Sequence, residues 1–247
     1  MAGTIGVFLE DASDPFTAAL HRAIESEARA HDAHVLTGKP HDPLTKSFDG
    51  LILAATTAAA DTGVPTVVVE ATGAHVDSVV STNVSGAATA VRHLIAQGHR
   101  RIAYLGDAET RPTCRDRYRG YLRALGGRPG PVVHDLHDPA AAERAVVTLM
   151  RGPTPPTAIF TAHHTLTIGA VRALRRLDRH RAVALVGFDD FPLADLLEPA
   201  ITVIAQDPAR MGRTAATALF ERIDGHTGPP REIRVPTTLI PRGSGEL

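Results

Sequence analysis

The side chains best suited to chemistry in this chain are an arginine, a carboxylate and an amide. Arg117 lies in TCRDRYRGYL, where Arg115, Arg119 and Arg123 recur every four residues and form one solvated helical stripe. At roughly 100° per helical residue, Arg117 falls about 200° from Arg115, on the side of Cys114 and Tyr121. A guanidinium on an inward edge needs an acceptor. It is either half of a structural ion pair or a forked donor to ligand hydroxyls or a carboxylate. Asp189 closes the apolar run Ala182 to Phe188 and either caps the next segment or accepts hydroxyl protons. Gln206 follows the run Ile201 to Ala205, and its amide both donates and accepts. Phe16 is either a core residue or a stacking face. One cation, carboxylates, an amide and an aromatic make a wall suited to a polar, uncharged ligand such as a sugar.

Other chemistries lack their residues. The sequence has no GxSxG, no GxGxxG and no HExxH, and Gly38–Lys39 is followed by Pro40 rather than completing a phosphate loop. Cys114, on an apolar helix face, reads as a small core residue. Thirteen histidines invite a metal reading. The adjacent His163 and His164, if both helical, would point about 100° apart, and no thiolate or carboxylate set accompanies them at ligand spacing. No metal site, no cofactor and no enzyme activity are expected.

The elements that must position these residues follow from periodicity. The stretch 157–190, TAIFTAHHTLTIGAVRALRRLDRHRAVALVGFDD, reads as strand, helix, strand, with His163, His164, Asp189 and Asp190 all following strand ends. Short apolar runs alternating with amphipathic helices belong to a parallel sheet covered on both faces, and such sheets bind ligands beyond the carboxyl ends of their strands. The same pattern begins with a strand over Thr4 to Leu9 and a helix capped by Asp14 with Pro15 at its first position. Asn83 is placed to cap a later helix that ends at Gly98, and Asp207–Pro208 starts another. About six or seven βα pairs result, and the polar loop after Gly106 is the best candidate for a boundary between two α/β halves.

The chain's 247 residues suffice for one large or two small domains. With 43% hydrophobic and 21% charged residues the composition is that of a globular protein, and no apolar run approaches the ~18 residues of a membrane span. The single cysteine excludes an internal disulfide and fits a reducing compartment, so a cytoplasmic protein is expected. A net charge of −1 does not suit a unit that holds DNA through its phosphates.

At these residues a family resemblance becomes visible. TIGVFLEDASDPF, SVVSTNVSGAATAVRHLIAQGHRRIAYLG, RDRYRGY, PTAIFTAHHTLTIGAVRAL and VGFDDFPLADLLEPAITVIAQDPARMG follow one another as in the effector-binding core of LacI/GalR-type transcriptional regulators. The sugar-binding proteins of bacterial transport resemble it more distantly. The resemblance implies a periplasmic-binding-protein-like α/β fold of two doubly wound parallel-sheet subdomains joined by three crossings. We expect 1–106 with 207–235 in one and 107–206 with 236–247 in the other. It also implies an effector clamped between them by Asp14, Phe16 and Glu70 from the first half and Arg117, His163, Asp189 and Gln206 from the second. His163–His164 stands where the family usually has Asn–Asp, which points to an unusual effector, and Leu136 stands where some sugar binders carry an aromatic. The stretch 38–63 is short for the family, and its usual N-terminal DNA-binding head is not in these residues. The expected function is effector binding within a homodimeric repressor whose operator DNA is read by that head. A transport solute-binding protein is the alternative.

Overall fold

A computed structural model describes residues 3–9, 14–38, 48–54, 62–71 and 75–247. Most of the shortened stretch 38–63 and loop residues 10–13 lie outside the described residues. The chain divides into two compact units, 1–81 with 207–236 and 82–206 with 237–247, so it passes from one to the other three times.

The first unit carries a six-stranded sheet in the order β11-β5-β4-β3-β1-β2. Its strands are β1 (Thr4–Phe8), β2 (His34–Thr37), β3 (Gly50–Ala54), β4 (Thr66–Val69), β5 (Asp77–Ser81) and β11 (Glu232–Val235), all paired in parallel. The inner strands are buried along nearly their whole length, as a sheet with both faces covered requires. Helices α1 (Pro15–Ala30) and α6 (Pro208–Ile223) pack Leu20, Ile24, Met211 and Leu219 onto one face with Ile5, Val7, Ile52 and Val67. Phe8, Leu51, Leu53 and Val68 form the core of the other face.

The second unit carries a sheet in the order β12-β10-β9-β8-β6-β7. Its strands are β6 (Ile102–Leu105), β7 (Val132–Val133), β8 (Ala158–Thr161), β9 (Ala184–Phe188), β10 (Thr202–Ala205) and β12 (Thr238–Ile240). All pairings are parallel except the edge pair β10–β12. Helices α2 (Asn83–Ala96) and α3 (Pro112–Ala124) cover one face, with Val91, Leu94 and Tyr121 against Tyr104 and Phe160. Helices α4 (Pro139–Arg151) and α5 (His164–Arg176) cover the other, with Val146, Leu166 and Leu174 against Ile159 and Leu185.

Local sequence explains where these helices start and stop. Asp14, Asp138 and Asp207 each accept a hydrogen bond from a backbone N–H three residues on, at 3.0, 2.7 and 2.8 Å, and proline follows each of them. Gly98 and Gly225, at φ 98° and 97°, end α2 and α6 in the left-handed conformation that glycine adopts most freely. Two sequence expectations are corrected. The boundary lies at Ser81/Thr82, not at Gly106, because α2 packs on α3 and β6 pairs with β7 and β8 of the second sheet. Asn83 is not the cap of α2; Thr82 holds that position, and Asn83 is the first helical residue.

Candidate functional site

In the second sheet, β6 lies between β7 and β8, so successive connections leave it in opposite directions. That is the switch point at which open parallel sheets bind ligands. The register aligns Leu105 with Thr161, Thr161 with Gly187, and Phe188 with Ile204. The residues just beyond these strands therefore meet at one edge.

Arg117, 2% exposed in the first half of α3, reaches that edge. Its Nε donates to Asn83 Oδ1 at 2.9 Å, and its Nη1 donates to the Ala162 carbonyl at 2.7 Å and to Asp189 Oδ2 at 3.2 Å. The guanidinium carbon lies 3.9 Å from the centre of the Phe188 ring, in cation–π contact. Arg115, Arg119 and Arg123 stay exposed on the opposite side of the helix.

Asp189 is buried in the left-handed region, at φ 72°. Its N–H donates to the Ile204 carbonyl at 2.9 Å, and its Oδ1 accepts from Gln206 Nε2 at 2.6 Å. Burial pushes its carboxyl up. The Arg117 guanidinium, His163, the Gln206 amide and His164 more than offset this and hold it below the usual carboxylate range. Gln206 Oε1 is buried and accepts no hydrogen bond among the described residues. Asp190, the next residue after Asp189, is turned away: it is exposed and takes two bonds from Arg242, at 2.7 and 2.6 Å. The left-handed backbone at Asp189 separates the two carboxylates, which the sequence reading had kept together.

His163 is the N-cap of α5, with extended backbone at φ −157° and ψ 150°. Its Nε2 lies 3.7 Å from Asp189 Oδ2, and its Nδ1 lies 3.0 Å from Thr165 Oγ1. The rings of His163 and His164 have centroids 4.3 Å apart at 40°. The expected divergence of about 100° does not apply, because only His164 is on the helix. After β6, Asp107 accepts from the Ala108 N–H at 2.7 Å, from Arg111 at 3.0 Å and from the His137 ring. Burial raises its carboxyl, but these three donors outweigh that and lower it.

The structure thus brings together four of the seven expected ligand residues: Arg117, His163, Asp189 and Gln206. The other three belong to the first unit. Asp14 caps α1, accepting from the Thr17 N–H at 3.0 Å and its hydroxyl at 3.2 Å. Phe16 is half-buried against the first core. Glu70 directly follows β4, at φ 59°, its N–H donating to the Val79 carbonyl at 3.0 Å. Leu136 is a core residue. Sequence reasoning missed Asn83 and Phe188, the residues that hold Arg117. A polar residue in the first turn of an otherwise apolar helix was the available signal for Asn83. No activated nucleophile is seen among the described residues: Cys114 is buried, and burial pushes its thiol up. No helix among them is long and apolar enough to cross a membrane.

A periplasmic binding protein-like domain matches residues 91–245. The chain is 30% identical to the HTH-type transcriptional repressor CytR of Escherichia coli strain K12, over 98% of the chain and 79% of that protein. Among solved structures, a putative ribose operon repressor from Burkholderia thailandensis is 29% identical. It superposes with a TM-score of 0.82 over 97% of this chain and 99% of that one. The transcriptional regulator CelR in complex with cellobiose is 25% identical, with a TM-score of 0.88 over 98% of this chain and 84% of that one.

Proposed function

The chain belongs to the LacI-type family of transcriptional regulators, as its periplasmic-binding-protein-like, effector-binding core, and from that membership we propose that it binds a sugar or related polyol and so controls DNA binding. The observation that carries this reading is the buried Arg117–Asp189 pair, with half-buried Gln206 bonded to it, at the switch point of the second sheet. A pre-paired cation and carboxylate with an amide beside them offer fixed donors and acceptors without net charge, which suits hydroxyl groups. Gln206 Oε1 is an acceptor for one of them. The cellobiose complex of CelR supports the same ligand class.

His163 is proposed as a further contact of the second unit, and Asp14, Phe16 and Glu70 as contacts from the first, each near the carboxyl end of a strand of its own sheet. The protein acts as a cytoplasmic homodimer rather than as an enzyme. Operator DNA is read by a helix-turn-helix head N-terminal to this core, since a net charge of −1 suits no phosphate-tracking surface. The test is a thermal-shift screen against mono- and disaccharides, nucleosides and sugar acids, followed by calorimetry, because a ligand of the folded state raises its melting temperature. A neutral sugar that binds stoichiometrically is expected. A ligand set made up only of strongly charged molecules would overturn the assignment.

A further inference from the structure

We propose that His163, His164 and Asp189 form a binding site for a divalent transition ion of the zinc, cobalt or nickel type. One ligand atom from each, an imidazole nitrogen from either histidine and a carboxylate oxygen, all lie within 4.8 Å of one another. The backbone makes this possible. His163 is extended while His164 opens α5, so two consecutive rings lie side by side, tilted by 40°, instead of diverging. This revises the expectation drawn from sequence, which took both as helical.

Two donors on one tetrahedral zinc, each about 2.0–2.2 Å from it, stand roughly 3.3 Å apart. His163 Nε2 and Asp189 Oδ2 are already 3.7 Å apart. The widest separation among the three ligand atoms, at most 4.8 Å, has to close by up to about 1.5 Å. The His163 side chain, 42% exposed, has room to move.

The surrounding contacts are of the kind that orient metal ligands. As the cap of α5, His163 accepts from the Thr165 N–H at Nδ1, at 3.4 Å, which fixes the ring with Nε2 facing Asp189; a metal bound there takes the place of the Nε2 proton. Asp189 is fixed by Gln206 on Oδ1 and by Arg117 on Oδ2. Two imidazoles and a single carboxylate select zinc, cobalt or nickel over magnesium or calcium, which want oxygen donors. Three protein ligands leave a fourth position for water or a ligand oxygen. Arg117, 3.2 Å from the same Oδ2, opposes a cation. The expected affinity is therefore micromolar, not that of a closed structural zinc site.

That the ion stands beside an effector rests on the proposed function; its binding does not. Thirteen histidines give the chain a background affinity for these metals, so the test must be resolved by residue. Untagged protein, stripped with a chelator and dialysed, is titrated with cobalt, followed by its visible d–d absorption, and with zinc by calorimetry, with no sugar present. One equivalent bound at micromolar concentration is expected, with His163→Asn and His164→Asn each weakening it at least about tenfold. Circular dichroism of the metal-free variants checks that they remain folded. Absence of stoichiometric binding in wild-type protein up to about millimolar metal, or binding that both folded variants retain, would overturn the site. A sugar screen run in chelator tests the effector reading separately.

Discussion

Arg117 is held by four groups: the Asn83 side chain, the Ala162 carbonyl, Asp189 and the Phe188 ring. Removing one partner of a buried, charge-assisted hydrogen bond costs on the order of 2–4 kcal/mol. Arg117→Ala and Asp189→Ala are therefore expected to weaken effector binding by about 30-fold or more. Both also leave a buried charge unpaired, so melting temperature falls as well. Affinity must be read by calorimetry at a temperature where each variant is still folded, and near wild-type affinity there would restrict the pair to a structural role. Arg117→Lys should not restore binding, since a lysine cannot make the Asn83, Ala162 and Asp189 contacts together. Part of this was legible in the sequence. Four-residue spacing put Arg115, Arg119 and Arg123 outside and left Arg117 inside. The role of Asn83 was not legible, because an asparagine at a helix start reads equally well as a cap. The separation of Asp189 from Asp190 depends on a left-handed backbone at Asp189 that residue type alone does not encode.

Three helix pairs, α1/α6, α2/α3 and α4/α5, each close on a glycine. A Cβ at Gly212 would lie 2.5 Å from the Leu20 carbonyl oxygen, one at Gly120 2.3 Å from that of Val84, and one at Gly169 2.2 Å from that of Pro139. Backbone cannot yield as a side chain can, so alanine at any of the three forces the helices apart. Each substitution is expected to destabilise by about 1–3 kcal/mol in chemical denaturation. Gly120→Ala should also weaken effector binding, because it lifts α3, and with it Arg117, from the helix that carries Asn83. An affinity unchanged in folded Gly120→Ala protein would show that Arg117 does not depend on this packing. The helices themselves were readable from apolar stripes and Asp–Pro starts. Their partners were not: periodicity identifies a buried face without saying which helix lies on it. The same limit explains the boundary misplaced at Gly106, since strand-like character says nothing of which sheet a strand joins.

At the scale of the whole molecule, the returning segment 207–236 must be tied to a first unit begun more than a hundred residues earlier. Asp77 on β5 does this, accepting from Arg222 of α6 at 3.1 and 2.7 Å and from the Arg231 side chain at 3.2 and 2.7 Å. Burial pushes its carboxyl up, but these bonds outweigh it and bring it down from 3.8 to about 2. A lowered pKa means stability that is present above the unfolded value and lost as pH falls through the folded one. About 2 kcal/mol should therefore disappear between about pH 4 and pH 2. Asp77→Asn, less stable at neutral pH, should show a shallower loss over that window in urea titrations; an unchanged slope would assign the acid sensitivity elsewhere. Assembly is the remaining property at this scale. In the segment between β9 and β10, Leu193 and Leu196 are 64% and 71% exposed. The Leu196 N–H donates to the Leu193 carbonyl at 3.1 Å, and Leu193 sits at φ 71°, an uncommon conformation for so large a residue. Two leucines held outward on one strained turn make an apolar patch that self-association would bury. Light scattering at tens of micromolar should give twice the chain mass of 26.1 kDa. The double variant Leu193→Glu, Leu196→Glu should shift this towards a monomer while its circular dichroism is unchanged. A wild-type monomer would remove the dimer from the proposed function, and a variant that stays dimeric would place the interface on another face.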